Sequence, residues 1–60
     1  MSQFTLTIQT DGDAFTDLDG QYEIARILRE AAENVEGCDE YGRLRDSNGN
    51  TVGSFSWTGR

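Results

Sequence analysis

Two strand-like runs flank an Asn-Gly pair in the stretch that decides the fold, Leu44-Arg45-Asp46-Ser47-Asn48-Gly49-Asn50-Thr51-Val52-Gly53-Ser54-Phe55-Ser56-Trp57. Asn and Gly both tolerate a positive φ, which a type I′ turn requires at its two central positions. An Asn-Gly pair between two such runs is therefore the strongest local signal for a β-hairpin. We predict a hairpin whose two-residue turn is Asn48-Gly49.

The register of this hairpin depends on the length of its turn. With a two-residue turn, Leu44 faces Gly53, and Leu44, Phe55 and Trp57 share one face of the sheet. The opposite face then carries Arg43, Arg45, Ser54 and Ser56. The alternative, a three-residue loop with a bulge, moves Leu44 to the face opposite Phe55. We favour the two-residue turn because it separates an apolar face from a mainly polar one, and a one-residue slip inverts every side chain. The missing side chain of Gly53 leaves a gap that a helix residue could fill.

The rest of the chain supplies one more strand and one helix. Residues 4–10 alternate between apolar and polar side chains, which predicts a half-buried strand with Phe4, Leu6 and Ile8 on one side. Residues 20–36 predict a helix, because apolar residues recur at helical spacing at Ile24, Ile27, Leu28, Ala31 and Val35. Asp19 or Gly20 can cap the start of this helix, and with Gly20 as the N-cap, Glu23 can reach back to the helix start. Gly37 is a candidate left-handed stop.

These elements predict an α+β fold in a single small domain, residues 1–60, with the order β-α-β-β. One helix packs on a three-stranded antiparallel sheet and leaves the other face open. That open face is expected to carry Thr5, Thr7, Tyr41, Arg43, Arg45, Val52, Ser54 and Ser56. An open edge strand can pair with its copy in a second chain, which gives a six-stranded sheet across a homodimer. A chain this small also needs support beyond its core, and its lone Cys38 cannot form an intrachain disulfide.

The chain is strongly acidic, with a net charge of −6 from 11 acids and 5 arginines. This balance argues against direct binding to nucleic acid or to anionic membranes. It permits a basic protein partner or mimicry of the charge of nucleic acid, although acidity alone is also typical of small soluble proteins. Residues 11–20 form an acidic loop. The candidate acidic surface comprises Asp11, Asp13, Asp17, Asp19, Glu33, Glu36, Asp39 and Glu40.

The sequence contains no motif of a known catalytic or metal site, and we expect no enzyme activity and no cofactor. There is no His or Lys to tune for acid–base work, and no glycine pattern of a phosphate-binding loop. The spacing of the acids in residues 11–20 does not fit an EF-hand, so we expect no metal site, although a weak cation site in that loop stays an alternative. We find no signal peptide and no membrane span, and a lone thiol suits a reducing cytoplasm.

Three pieces of the chain carry a resemblance that covers most of it: Phe4–Ile8, Ile24–Arg29 and Leu44–Phe55, with Leu44-Arg45-Asp46 leading into the Asn-Gly hairpin. They resemble short acidic proteins encoded by bacteriophages and other mobile elements. That resemblance implies the cytoplasm of an infected bacterium as the setting. It also implies a role of the anti-defence type.

We therefore expect a non-enzymatic binding protein, a phage-encoded inhibitor that contacts a host defence protein and acts as a homodimer. Aromatic and arginine residues dominate interface energetics, so Tyr41, Arg43, Arg45 and Trp57 are the candidates for the partner or dimer interface. For Trp57 the competing interpretation is core packing. The alternatives for function are a structural or assembly component of a phage, a charge mimic of nucleic acid, and a transcriptional modulator acting through protein contact.

Overall fold

The computed structural model of this chain describes residues 1–16 and 19–59, and within them the predicted α+β fold is confirmed. The helix has the predicted bounds, and the three strands form one antiparallel sheet in which the last strand of the chain lies between the other two. In chain order the elements are β1 (Gln3–Ile8), a short 3-10 helix (Asp13–Phe15), α1 (Gly20–Glu36), β2 (Tyr41–Arg45) and β3 (Thr51–Thr58). No helix among the described residues is long and apolar enough to cross a membrane.

The core lies between one face of α1 and the apolar face of the sheet. Four hydrophobic side chains among the described residues are buried there: Ile27, Ala31, Leu44 and Phe55. Two come from the helix stripe and two from the hairpin, as the helical and alternating spacings predict. Partly buried side chains surround them, namely Leu6, Ile8, Phe15, Val35 and Val52. With β3 in the centre, β1 and β2 are the two edge strands of this sheet.

The turn of the hairpin differs from the predicted type I′ turn. The Asp46 carbonyl accepts a hydrogen bond from the Gly49 N–H at 3.0 Å, and the Asp46 N–H donates to the Asn50 carbonyl at 2.9 Å. Gly49 has a φ of 84°, whereas Asn48 keeps a negative φ. The loop is therefore Ser47-Asn48-Gly49, a type I turn followed by a left-handed glycine. The prediction of a two-residue turn was wrong.

The predicted faces of the hairpin nevertheless hold, because β3 contains a bulge. Arg45 faces Thr51, but Leu44 faces Gly53, so Val52 is the extra residue between the two pairs. The one-residue shift from the longer loop and the one-residue shift from the bulge cancel. Val52 itself is half-buried against the core, not part of the open face to which it was assigned.

The helix ends where predicted, but the way in which its two ends are capped differs in part from the prediction. At the start, Asp19 rather than Gly20 is the N-cap residue, and its side chain accepts no capping hydrogen bond. The Glu23 carboxylate accepts hydrogen bonds from Ser47 and Arg26, so it does not serve as the predicted cap. At the end, Gly37 has a φ of −79°, and Cys38 takes the left-handed conformation with a φ of 76°. Gly37 is thus not the left-handed stop.

Candidate interaction surfaces

The sheet face turned away from the helix forms a platform of cross-strand rows, which we call the open sheet face. One row is Thr5, Ser56 and Tyr41, and the next is Thr7, Ser54 and Arg43. Residues directly opposite across antiparallel strands lie close enough to act as one surface. Tyr41 is 79% exposed, and Arg43 and Arg45 are also exposed. The structure thus brings together three of the four predicted interface residues, all on β2.

The open sheet face differs in charge from the rest of the molecule. The three strands contain two arginines and no acid, a formal charge of +2, which leaves −8 for the remainder of a chain of net charge −6. A shallow hollow of about 350 Å³ lies at the Arg43 end of this face, lined by Thr7, Gln9, Arg43, Thr51, Val52, Gly53 and Ser54. The open sheet face is therefore neutral to basic, although the protein as a whole is acidic.

A second surface, the apolar groove, lies between α1 and β1. The groove has a volume of about 440 Å³ and is lined by Phe4, Leu6, Leu28, Ala31, Ala32, Val35 and Glu36. Phe4 is 44% exposed and Leu28 is 45% exposed, which is high for large apolar side chains. The groove exists because α1 packs mainly against β2 and leaves the side of the sheet near β1 uncovered.

Trp57, the fourth predicted interface residue, lies on the groove side of the sheet. It faces Phe4 across the β1–β3 pair and is 36% exposed. Its indole Nε1–H donates to the Ser2 Oγ at 2.9 Å, and its backbone N–H donates to the Glu40 carbonyl at 2.8 Å. Trp57 is thus neither a fully buried core residue nor a neighbour of Tyr41 on the open sheet face.

The predicted acidic surface lies on the helix and the loops. Seven of its residues are exposed, and none of the seven is on a strand: Asp11, Asp13, Asp19, Glu33, Glu36, Asp39 and Glu40. Asp17 lies outside the described residues. No group of three His, Cys, Asp or Glu residues suited to a metal ion occurs in the described part of the chain.

One polar cluster was missed at the sequence level: Glu23 clamps the helix to the hairpin. Its carboxylate accepts from the Arg26 Nε–H and from the Ser47 N–H, each at 2.7 Å. Arg26 in turn donates to the Arg45 carbonyl at 3.1 Å and to Glu30 at 2.9 Å. The Arg26 and Ser47 hydrogen bonds lower the pKa of Glu23 from 4.5 to about 2. No local spacing could reveal this contact, since Glu23 and Ser47 are far apart in sequence.

Asp46, the second buried acid among the residues that the structure describes, organises the turn. One carboxylate oxygen accepts from the N–H groups of Asn48 and Asn50, at 3.0 and 2.9 Å. Aspartate is favoured at the first position of a type I turn for this reason, so the sequence held a usable signal here.

Comparisons with known proteins give no match: no protein-family model, no curated protein and no solved structure is similar to this chain. The features of this chain that bear on function are the open sheet face, the apolar groove and the distribution of charge.

Proposed function

We propose that this chain is a non-enzymatic binding protein, a phage-type inhibitor that blocks a bacterial defence protein by direct contact. It acts in the cytoplasm of the infected host as a homodimer, and the open sheet face binds the target. The phage setting comes from the resemblance of residues 4–8, 24–29 and 44–55 to short acidic phage proteins. The use of the open sheet face comes from its geometry and charge.

The observation that carries the proposal is the exposure of Tyr41 and Arg43 at the ends of two cross-strand rows. The other members of those rows are short hydroxyl side chains, which allow a partner to approach the sheet closely. Tyrosine and arginine supply most of the binding energy in many interfaces. Because the face carries arginines and no acid, it suits a target surface that is neutral or acidic.

A second candidate, mimicry of nucleic acid, is favoured by the position of the acids. Glu33, Glu36, Asp39 and Glu40 are exposed at the end of α1 and in the loop that follows it. A basic groove on a defence nuclease would be attracted to such a surface. Binding of this kind is largely electrostatic and weakens steeply with salt.

The test is affinity capture of proteins from lysate of the bacterial host, at low and high salt, with identification by mass spectrometry. We expect one dominant defence protein that is retained at high salt, since the Tyr41 contact is largely apolar. A partner lost at high salt would favour the charge mimic instead. Capture of nothing but the chain itself would overturn the inhibitor proposal for that host and favour a structural component of the phage.

A further inference from the structure

We infer that β1 and the apolar groove form the dimer interface, with β1 of one copy paired to β1 of the other about a two-fold axis at Leu6. The inference rests on the homodimer proposed above and not on any target. It joins two three-stranded sheets into one sheet of six strands, with both helices on the same side.

The accessible surface area of the chain is larger than expected for its mass, as it would be if part of that surface were covered by a partner. A folded monomer of 6.7 kDa is expected to expose about 3,900 Å², whereas this chain exposes 4572 Å². The excess is close to the roughly 800 Å² that each partner buries in a standard interface. The radius of gyration agrees, at 12.1 Å against about 10.4 Å for a compact domain of this length.

Charge points to β1 as the side where two copies of an acidic chain can meet. Residues 3–10 contain no charged side chain, and Glu36 is the one charged residue among those that line the apolar groove. Natural edge strands are usually protected from pairing by charges, proline or bulges. β1 has none of these devices, whereas the other edge strand, β2, carries Arg43 and Arg45.

The hydrogen-bonding pattern fixes which residues of β1 can pair. The Gln9 N–H donates to the Val52 carbonyl at 2.7 Å, so the odd-numbered residues of β1 hydrogen-bond to β3. The backbone groups of Phe4, Leu6 and Ile8 therefore point to the open edge. An antiparallel pair centred on Leu6 joins all three to the second copy, with Phe4 opposite Ile8 of the other chain. A two-fold axis at Phe4 or at Ile8 would pair fewer of these three residues with the second copy.

The same register explains the exposed apolar side chains. Phe4, Leu6 and Ile8 point to the groove side, so the pairing brings both copies of Phe4 beneath the gap between the two helices. Leu28 borders that gap and is covered with them. On the open sheet face, Thr5 of one copy comes opposite Thr7 of the other, which extends the target-binding platform across the dimer.

The first test measures the molar mass of the purified chain by sedimentation at micromolar concentrations. We expect a dimer, and Phe4→Glu is expected to raise the dimer dissociation constant at least tenfold. Tyr41→Glu is the matched control, because it adds the same charge on the open sheet face and is expected to leave the dimer unchanged. A monomeric wild type would overturn the inference and leave the groove to another protein. Equal loss of the dimer in both variants would also overturn it.

A cross-linking test fixes the register and does not depend on Phe4. In a Cys38→Ser background, chains carrying Thr5→Cys are mixed with chains carrying Thr7→Cys and oxidised. The paired Cα atoms would lie about 4.5 Å apart, within disulfide range, whereas two Thr5 positions would lie roughly 8 Å apart. We expect disulfide-linked heterodimers from the mixture and little linkage from either variant alone. Equal linkage in all three samples, or none in the mixture, would refute the pairing about Leu6.

Discussion

At the scale of single residues, the Glu23 clamp joins the helix to the hairpin through a direct hydrogen bond from the Ser47 N–H to the Glu23 carboxylate. The carboxylate is buried and holds one side-chain donor and one backbone donor. Its hydrogen bonds favour the ionised form, which is why the pKa of Glu23 lies near 2 rather than 4.5. A depressed pKa in the folded state contributes stability above the unfolded pKa, and this contribution is lost as the pH falls towards the folded pKa.

We predict that Glu23→Gln removes part of the acid sensitivity of the protein. The wild type should lose stability between pH 5 and pH 2, the window set by the Glu23 pKa values of 4.5 and about 2. Glu23→Gln should be less stable at pH 7 and should show a smaller further loss across this window. Thermal unfolding at several pH values measures both effects. Glu30→Gln is the control, because Glu30 also pairs with Arg26 but is exposed. Parallel pH curves for wild type and Glu23→Gln would contradict the clamp.

Gly53 is the position at which the strands leave least room. A Cβ at Gly53 would overlap the Thr7 carbonyl oxygen, and a backbone atom cannot move aside as a flexible side chain can. The space beside this glycine is thus occupied by β1, and the prediction that a helix side chain would fill it was wrong.

We predict that Gly53→Ala destabilises the protein by about 2–3 kcal/mol through overpacking. For a domain of this size such a loss lowers the unfolding midpoint by roughly 10 °C or more. Gly12→Ala is the control, since nothing lies within 4 Å of its Cβ position. A Gly53→Ala variant that melts with the wild type would show that the β1–β3 contact is looser than described.

At the scale of elements, the hairpin shows what alternation in a sequence can and cannot predict. The segregation of Leu44 and Phe55 from Arg43 and Arg45 was confirmed, because burial of one face fixes side-chain parity regardless of the turn. The turn itself was not predicted, because Asn-Gly is compatible with both the type I′ turn and the longer loop. The bulge at Val52 reconciles the two, and the adjacent Gly53 was a usable signal, because an isolated glycine inside a strand often marks a bulge.

We predict different effects at the two central turn residues. Gly49→Ala should cost about 1–2 kcal/mol, since alanine is strained at the positive φ of Gly49. Asn48→Ala should be nearly neutral, because Asn48 keeps a negative φ and contributes its backbone N–H to Asp46. Chemical denaturation measures both changes. Comparable losses at the two positions would instead indicate the type I′ turn.

At the scale of the whole molecule, the three strands carry two arginines and no acid, and every acid of the chain lies outside them. Alternation in the strands was enough to predict the open sheet face, with Tyr41, Arg43 and Arg45 exposed on it. The apolar groove could not be predicted, because it depends on how far α1 is displaced towards β2, and helix periodicity does not encode that displacement. The spacing did predict that Trp57 shares the face of Leu44 and Phe55, but it could not predict that Trp57 is 36% exposed beside the groove.

The two surfaces allow separate tasks, with the groove side available for a second copy and the open sheet face for a target. Dimerisation through β1 would leave Tyr41 and Arg43 accessible, because both lie on β2 at the far edge of the sheet. A dimer of this kind would present two target-binding platforms, and binding by both would raise the apparent affinity without any new contact.

The most direct test of target binding by the open sheet face compares two charge reversals in the capture of host proteins. Arg43→Glu changes the open sheet face, and Arg29→Glu makes the same charge change at an exposed helix residue that forms no ion pair with the described residues. We predict that Arg43→Glu lowers the amount of the captured defence protein at least tenfold and that Arg29→Glu leaves it unchanged. If both variants captured as much of the defence protein as the wild type, or more than the wild type, binding through the open sheet face would be contradicted.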